Sequence, residues 1–130
     1  MKRKKQLSAL EWEVINIIWT MPAPVSVRDV MAKGYPGNEK AYTTVQTVMN
    51  NLVDKGFLKR EKTGLVNFYS PAHKKRDILK QEVRSFADKA FGGSLNALVN
   101  FMIDTESLSE EEIRELKNLI EDKENGNKKS

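Results

Sequence analysis

Residues 39–58 read EKAYTTVQTVMNNLVDKGFL, and the fold hangs on how they are read. At helical spacing, Ala41, Val45, Val48, Met49 and Leu52 form the apolar stripe of a helix packed on a core. Opposite them lie Thr43, Thr44, Gln46, Thr47, Asn50 and Asn51, a face without charge until Asp54. A solvated helix face ordinarily carries Lys/Glu pairs. Short Thr, Gln and Asn side chains suit base edges in a major groove, where amides bond adenine bidentately and Thr donates, accepts or touches a thymine methyl. The alternative is a polar face turned to water. Gly56 is placed to end the helix as a left-handed cap. The flanks must decide.

Upstream, Ser26 and Asp29 frame a second helix start, with Val27, Val30 and Met31 inward and Arg28 and Lys33 outward. Gly34 ends it, and GYPGN at 34–38 is a turn-rich connection. Two helices joined by a short turn, the second with a readable face, make a helix-turn-helix pattern. Downstream, Phe57–Lys62 and Leu65–Ser70 are strand-like, with Thr63-Gly64 between them. This hairpin carries Lys59, Arg60 and Lys62 on its first strand and Phe68 and Tyr69 on its second. A basic hairpin directly after such a helix reads as the wing of a winged helix; the alternative is an edge hairpin whose lysines guard against aggregation. The order of elements favours DNA binding.

Before these segments, Ala9 to Met21 is predicted helical, with Ser8 and Glu11 as a capping box and Leu7 and Trp12 as a hydrophobic staple. Leu10, Val14, Ile17, Ile18 and Met21 make its stripe, widened by Trp12, Ile15 and Trp19. Pro22 and Pro24 stop it, and Val25 reads as a very short strand. Residues 2–5, KRKK, form a basic tail.

Beyond the hairpin, Ser70-Pro71 reads as a helix start with Pro at the first position, continuing through Ile78, Leu79, Val83, Phe86, Ala87 and Ala90. Gly92-Gly93 break the chain; Ser94 caps a helix bearing Leu95, Leu98, Val99, Met102 and Ile103. A loop at 104–106 precedes a last helix, boxed by Ser109 and Glu112 and stapled by Leu108 and Ile113, with Ile113, Leu116, Leu119 and Ile120 on its stripe. These short amphipathic helices are expected to bury their stripes against a second copy of the chain, the alternative being packing within a monomer. From Lys123 the charged, Gly/Asn-containing chain is expected to be disordered. The expected fold is mainly α with a small β-hairpin: a winged helix-turn-helix domain at 1–71, a helical dimerisation region at 72–122 and a tail at 123–130.

Composition narrows the function classes. Residues 1–76 hold 14 Lys/Arg against 6 Asp/Glu, whereas residues 77–130 hold 8 against 12, so a net charge of +4 conceals a basic first half. Such a half suits a polyanion. There is no cysteine, which excludes disulfides, thiolate metal sites and thiol nucleophiles. No run approaches the ~20 apolar residues of a membrane span. Glu11 and Glu13 interrupt any signal-peptide core. A soluble, cytoplasmic protein is expected. His73 is the single histidine, beside Lys74, Lys75 and Arg76, and reads as a surface residue rather than a metal ligand. GYPGN lacks a phosphate-loop lysine, and Glu110, Glu111 and Glu112 suit a helix dipole better than a calcium ion. No catalytic residue, metal or cofactor is expected, and hence no enzyme.

Together, LSALEWEVINIIW, VSVRDV, YTTVQTVMNNLVDKGFLKREKTGLVNFYSP and NFMIDTESLSEEEIRELKNLI resemble the BlaI/MecI penicillinase-repressor family over about residues 7–121. The resemblance implies a homodimer whose winged helices bind an operator palindrome and repress β-lactamase, penicillin-binding-protein or other stress genes. It also implies release by a membrane sensor metalloprotease that cuts an Asn-Phe bond in the dimerisation region, which Asn100-Phe101 matches; the plainer role for Phe101 is a core aromatic. Copper-responsive relatives carry C-terminal cysteine pairs, absent here. Asn50-Asn51 departs from the basic residue often found before the following leucine in that family.

The base-reading set expected from these observations is Thr44, Gln46 and Thr47, with Thr43 and Asn50 beside them. Arg28, Tyr42, Lys55, Lys59, Arg60, Lys62 and Tyr69 are expected on phosphates or sugars. Phe86, Leu95, Leu98, Val99, Met102, Ile113, Leu116, Leu119 and Ile120 are expected in the dimer contact. Two other classes stay open: a winged-helix module that binds protein, and a repressor released by a small ligand.

Overall fold

A computed structural model describes the backbone of residues 6–129 and the side chains of residues 6–126. The basic run at residues 2–5 lies outside the described residues. The order of elements is α1 (Ala9–Trp19), α2 (Val27–Gly34), α3 (Tyr42–Asp54), β1 (Leu58–Thr63), β2 (Val66–Pro71), α4 (Lys75–Ala90), α5 (Leu95–Asp104) and α6 (Glu110–Lys129). Two compact units divide at Leu79 and Lys80.

In the first unit, local signals set the starts of α1 and α2. Ser8 and Glu11 bond each other's backbone amides at the head of α1, and Ser26 and Asp29 do the same for α2. α1 stops at Trp19, two residues before Met21, with Thr20 as its cap. Val14, Ile15 and Ile18 of α1, Val27 and Val30 of α2, and Val45, Val48, Met49 and Leu52 of α3 form one buried cluster. Ala41, expected on that stripe, is instead the exposed N-cap of α3. At the other end of α3, Gly56 has φ 90°, the Gly56 amide bonds the Val53 carbonyl and the Phe57 amide reaches the Leu52 carbonyl. This is a Schellman cap, and its two apolar residues, Leu52 and Phe57, are both buried.

That cap aims the chain into β1. β1 and β2 pair antiparallel from Leu58↔Pro71 to Thr63↔Val66, so the two-residue turn is Gly64-Leu65, one position later than the sequence implies. Gly64, at φ 64°, occupies the place that a II′ turn reserves for glycine. Pro71 does not open a helix; it closes β2, and α4 starts only at Lys75. The pairing explains why. Ala72 donates to the Phe57 carbonyl at 2.9 Å, so the adjacent Leu58/Pro71 pair is a non-hydrogen-bonded one, where the missing proline N–H costs no ladder bond. The same alternation turns the Tyr69 backbone away from β1. It meets Val25 instead, donating at 2.7 Å and accepting at 2.9 Å. Val25 thereby adds a one-residue third strand. Ile78, on the first turn of α4, joins the same core, so this unit extends past residue 71.

The second unit is the rest of α4, with α5 and α6. Ser94 caps α5, and Ser109 and Glu112 form the capping box that opens α6. Phe91 stands edge-on to both Phe86 and Phe101, at 5.9 and 5.6 Å between centroids. α6 does not end near Lys123 but runs to Lys129. Once a helix exists, each further residue adds one bond without a new nucleus, and the Glu and Lys of this segment are good helix formers. Among the residues with described side chains in this unit, Ala87 alone is fully buried. No described helix is long and apolar enough to cross a membrane.

Candidate nucleic-acid interface

α3 presents two faces, as its spacing predicts. Thr43, Thr44 and Thr47 are exposed, and Gln46 and Asn50 are half-buried, on the side opposite the buried Val45, Val48, Met49 and Leu52. Asn51 and Asp54 are exposed further along. Arg28 of α2 lies over the ring of Tyr42, 5.8 Å from its centroid, a cation–π contact beside the N-terminus of α3. Between these residues and the wing runs a groove of about 160 Å³, lined by Ser26, Arg28, Tyr42, Gln46, Leu65 and Asn67 among others. Lys59, Arg60 and Lys62 are all exposed on β1. At the tip of the wing, Leu65 is 95% exposed.

Three of the expected contacts change on inspection of the geometry. Lys55 is bonded within the fold. Its ammonium lies 2.7 Å from Glu11 Oε1 and donates to the Gln6 carbonyl at 2.9 Å. Burial raises the Glu11 carboxyl, but the bonds from Lys55 and from Ser8 outweigh it and hold Glu11 below its ordinary range. Tyr69 is wholly buried and cannot reach a phosphate. Burial pushes its phenol up, against the lowering effect of the nearby Arg60 charge. Its hydroxyl donates to Asn50 Oδ1 at 2.9 Å, and Arg60 Nη1 donates to the same oxygen at 2.7 Å. Asn50 is therefore not a free amide. With both lone pairs of its oxygen occupied, it lacks the donor–acceptor pair that reads adenine bidentately.

Sequence reading also passed over Tyr35, in the GYPGN turn. It is buried and donates to Glu13 Oε2 at 2.6 Å, and burial, with that carboxylate, raises its phenol. This bond ties the α2–α3 turn to α1. The signal was faint: a lone aromatic among turn residues. Among the described residues no cluster of His, Asp or Glu is placed to hold a metal ion.

The surface is thus an uncharged helix face bordered by exposed cations from two neighbouring elements. It has hydrogen-bonding groups at its centre and positive charge at its rim. The chain matches the family model described as penicillinase repressor over residues 7–122. It is 31% identical over 120 residues to the penicillinase repressor of Staphylococcus aureus, covering 92% of this chain and 94% of that one. It is 31% identical over 118 residues to the methicillin resistance regulatory protein MecI of Mammaliicoccus sciuri, covering 91% and 95%. A solution structure of the monomeric form of BlaI from Bacillus licheniformis, in complex with the blaP half-operator, is 29% identical, with a TM-score of 0.46 over 56% of this chain and 88% of that one.

Proposed function

The chain belongs to the penicillinase-repressor family, a family of repressors and not of enzymes, and from that premise we propose that it is a sequence-specific DNA-binding transcriptional repressor. The observation that carries the reading is the uncharged row of exposed Thr43, Thr44 and Thr47 with half-buried Gln46, with Arg28 against Tyr42 at its start and Arg60 bonded to Asn50 further along; Lys59 and Lys62 stand exposed on the same wing strand. α3 lies in the major groove, where Thr44, Gln46 and Thr47 read base edges with Thr43 beside them. Arg28, Tyr42 and the wing hold the backbone and set register.

The protein works as a homodimer on a palindrome in the cytoplasm. Support comes from the second unit, which leaves Val83, Phe86, Val99, Phe101, Leu119 and Ile120 exposed in a single chain. Leu95, Leu98, Met102, Ile113 and Leu116 are only half-buried beside them. So much apolar surface on one small unit is the mark of an interaction face. Proteolysis by a membrane sensor metalloprotease at Asn100-Phe101 ends repression. Both residues are exposed on α5, and the Phe101 carbonyl accepts from the Thr105 amide and hydroxyl. A protease that takes extended substrate must first open that turn. Severing it unlinks two DNA-binding heads, and avidity falls by ~10²–10⁴ with no change at the DNA face.

The test is binding of the purified chain to its own upstream DNA, against random DNA of equal length, at several salt concentrations. Selective binding with a steep salt dependence is the expected result. Absence of binding at low salt overturns the reading and favours a winged helix that binds protein.

A further inference from the structure

Asn50 sits on α3, with Tyr69 of β2 and Arg60 of β1 both donating to its Oδ1. A guanidinium has no acceptor, so the atom facing Arg60 must be oxygen, which fixes the amide's orientation on chemical grounds. The two donors differ. Tyr69 is an anchor: its side chain is wholly buried and its backbone is bonded to Val25. Arg60 is exposed. Asn50 therefore joins a fixed point in the core to a long cationic side chain on the wing.

We propose that Asn50 is a positioning residue of the DNA interface, ordering the Arg60 guanidinium between α3 and the wing so that it meets a phosphate already in place. The inference rests on the DNA-binding reading above. Immobilising a long side chain weakens association, and Asn50 makes most of that ordering happen before DNA arrives. Removing it should weaken binding roughly 2- to 10-fold, the range that corresponds to fixing one such side chain. The loss should be equal on operator and random DNA, because a phosphate contact carries no sequence information.

The experiment is a double-mutant cycle on the full chain: wild type, Asn50→Ala, Arg60→Ala and the pair, each titrated against its own upstream DNA and random DNA over a salt series. Asn50→Ala strands the buried Tyr69 hydroxyl, so the cycle is repeated in a Tyr69→Phe background, where no donor is left unpaired. The expected result is that Asn50→Ala weakens both DNAs alike and has no effect once Arg60 is alanine. Arg60→Ala flattens the salt slope by about one contact, whereas Asn50→Ala leaves the slope unchanged because the arginine is still present. A loss that persists undiminished in the Arg60→Ala chain, a loss confined to one base pair, or no loss at all overturns the inference. If the wild-type chain itself shows neither selectivity nor salt dependence, the DNA-binding reading fails, and this inference falls with it.

Discussion

Replacing Lys55 with alanine separates two roles that the sequence does not distinguish. If Lys55 gripped a phosphate, its loss would weaken DNA binding and leave stability intact. The geometry gives the reverse. Glu11 is 4% exposed and the Lys55 side chain 23%, with 2.7 Å between ammonium and carboxylate. Removing one partner of a fully buried pair costs ~3–5 kcal/mol, whereas an exposed pair is worth ~0–1 kcal/mol. Here the carboxylate is nearly dry, the ammonium is partly wet, and Glu11 keeps its bond from the Ser8 amide, so about 2 kcal/mol is expected. At ~4–8 °C per kcal/mol for a unit of this size, the melting temperature should fall by ~8–16 °C. The loss should also depend on pH. The folded-state pKa of Glu11 lies below its ordinary value of 4.5, so its contribution is present above 4.5 and lost as pH falls through the depressed value. The gap between wild type and Lys55→Ala should therefore close on acidification. Thermal melts by circular dichroism at several pH values, with salt-dependent DNA binding in parallel, make the measurement. An unchanged melting temperature together with a salt slope flattened by about one contact would refute the reasoning.

Gln46→Ala should cost ~1–3 kcal/mol on the operator and relax preference at one base pair, read by competition among single-substituted sites; an equal loss on random DNA removes Gln46 from the base-reading set. Gly56→Ala forces a side chain into φ 90° and should destabilise by roughly 1–2 kcal/mol, seen as a lower urea midpoint with unchanged slope. Leu119→Lys with Ile120→Lys places two charges on the exposed stripe of α6; on the proposed dimer reading it should shift sedimentation from dimer to monomer while leaving helix content intact, and unchanged sedimentation puts the contact elsewhere.

What was legible in the sequence was what is local. The three capping boxes at Ser8, Ser26 and Ser109 each involve a partner three residues away, and the stripe of α3 is a periodicity within one helix. Both kinds of signal led to the observed elements. What was hidden depends on residues far apart in the chain. Lys55 looks like any basic residue at a helix end until Glu11, 44 positions earlier, is brought beside it. Phe68 and Tyr69 are adjacent aromatics on a strand, so they point to opposite faces, and no local signal says which one is buried. The pairing with Val25 and the bond to Asn50 select Tyr69. Ser70-Pro71 carries a real helix-start signal, but Phe57 offers a strand partner first, and the pairing prevails. The candidate base-reading threonines were identifiable because their face lacks charge. Asn50 was not separable from them, since its occupied oxygen is a property of the tertiary structure.

The Val25–Tyr69 pairing bears on how this surface moves. Closing it brings together residues 44 positions apart, with α2, α3 and β1 between them, so the two bonds form when these elements are assembled. Their amides should exchange with solvent at the rate of global unfolding, slower than those of the wing tip. On the DNA-binding reading, the threonine face and the base of the wing offer DNA a surface whose shape is set by the fold before contact.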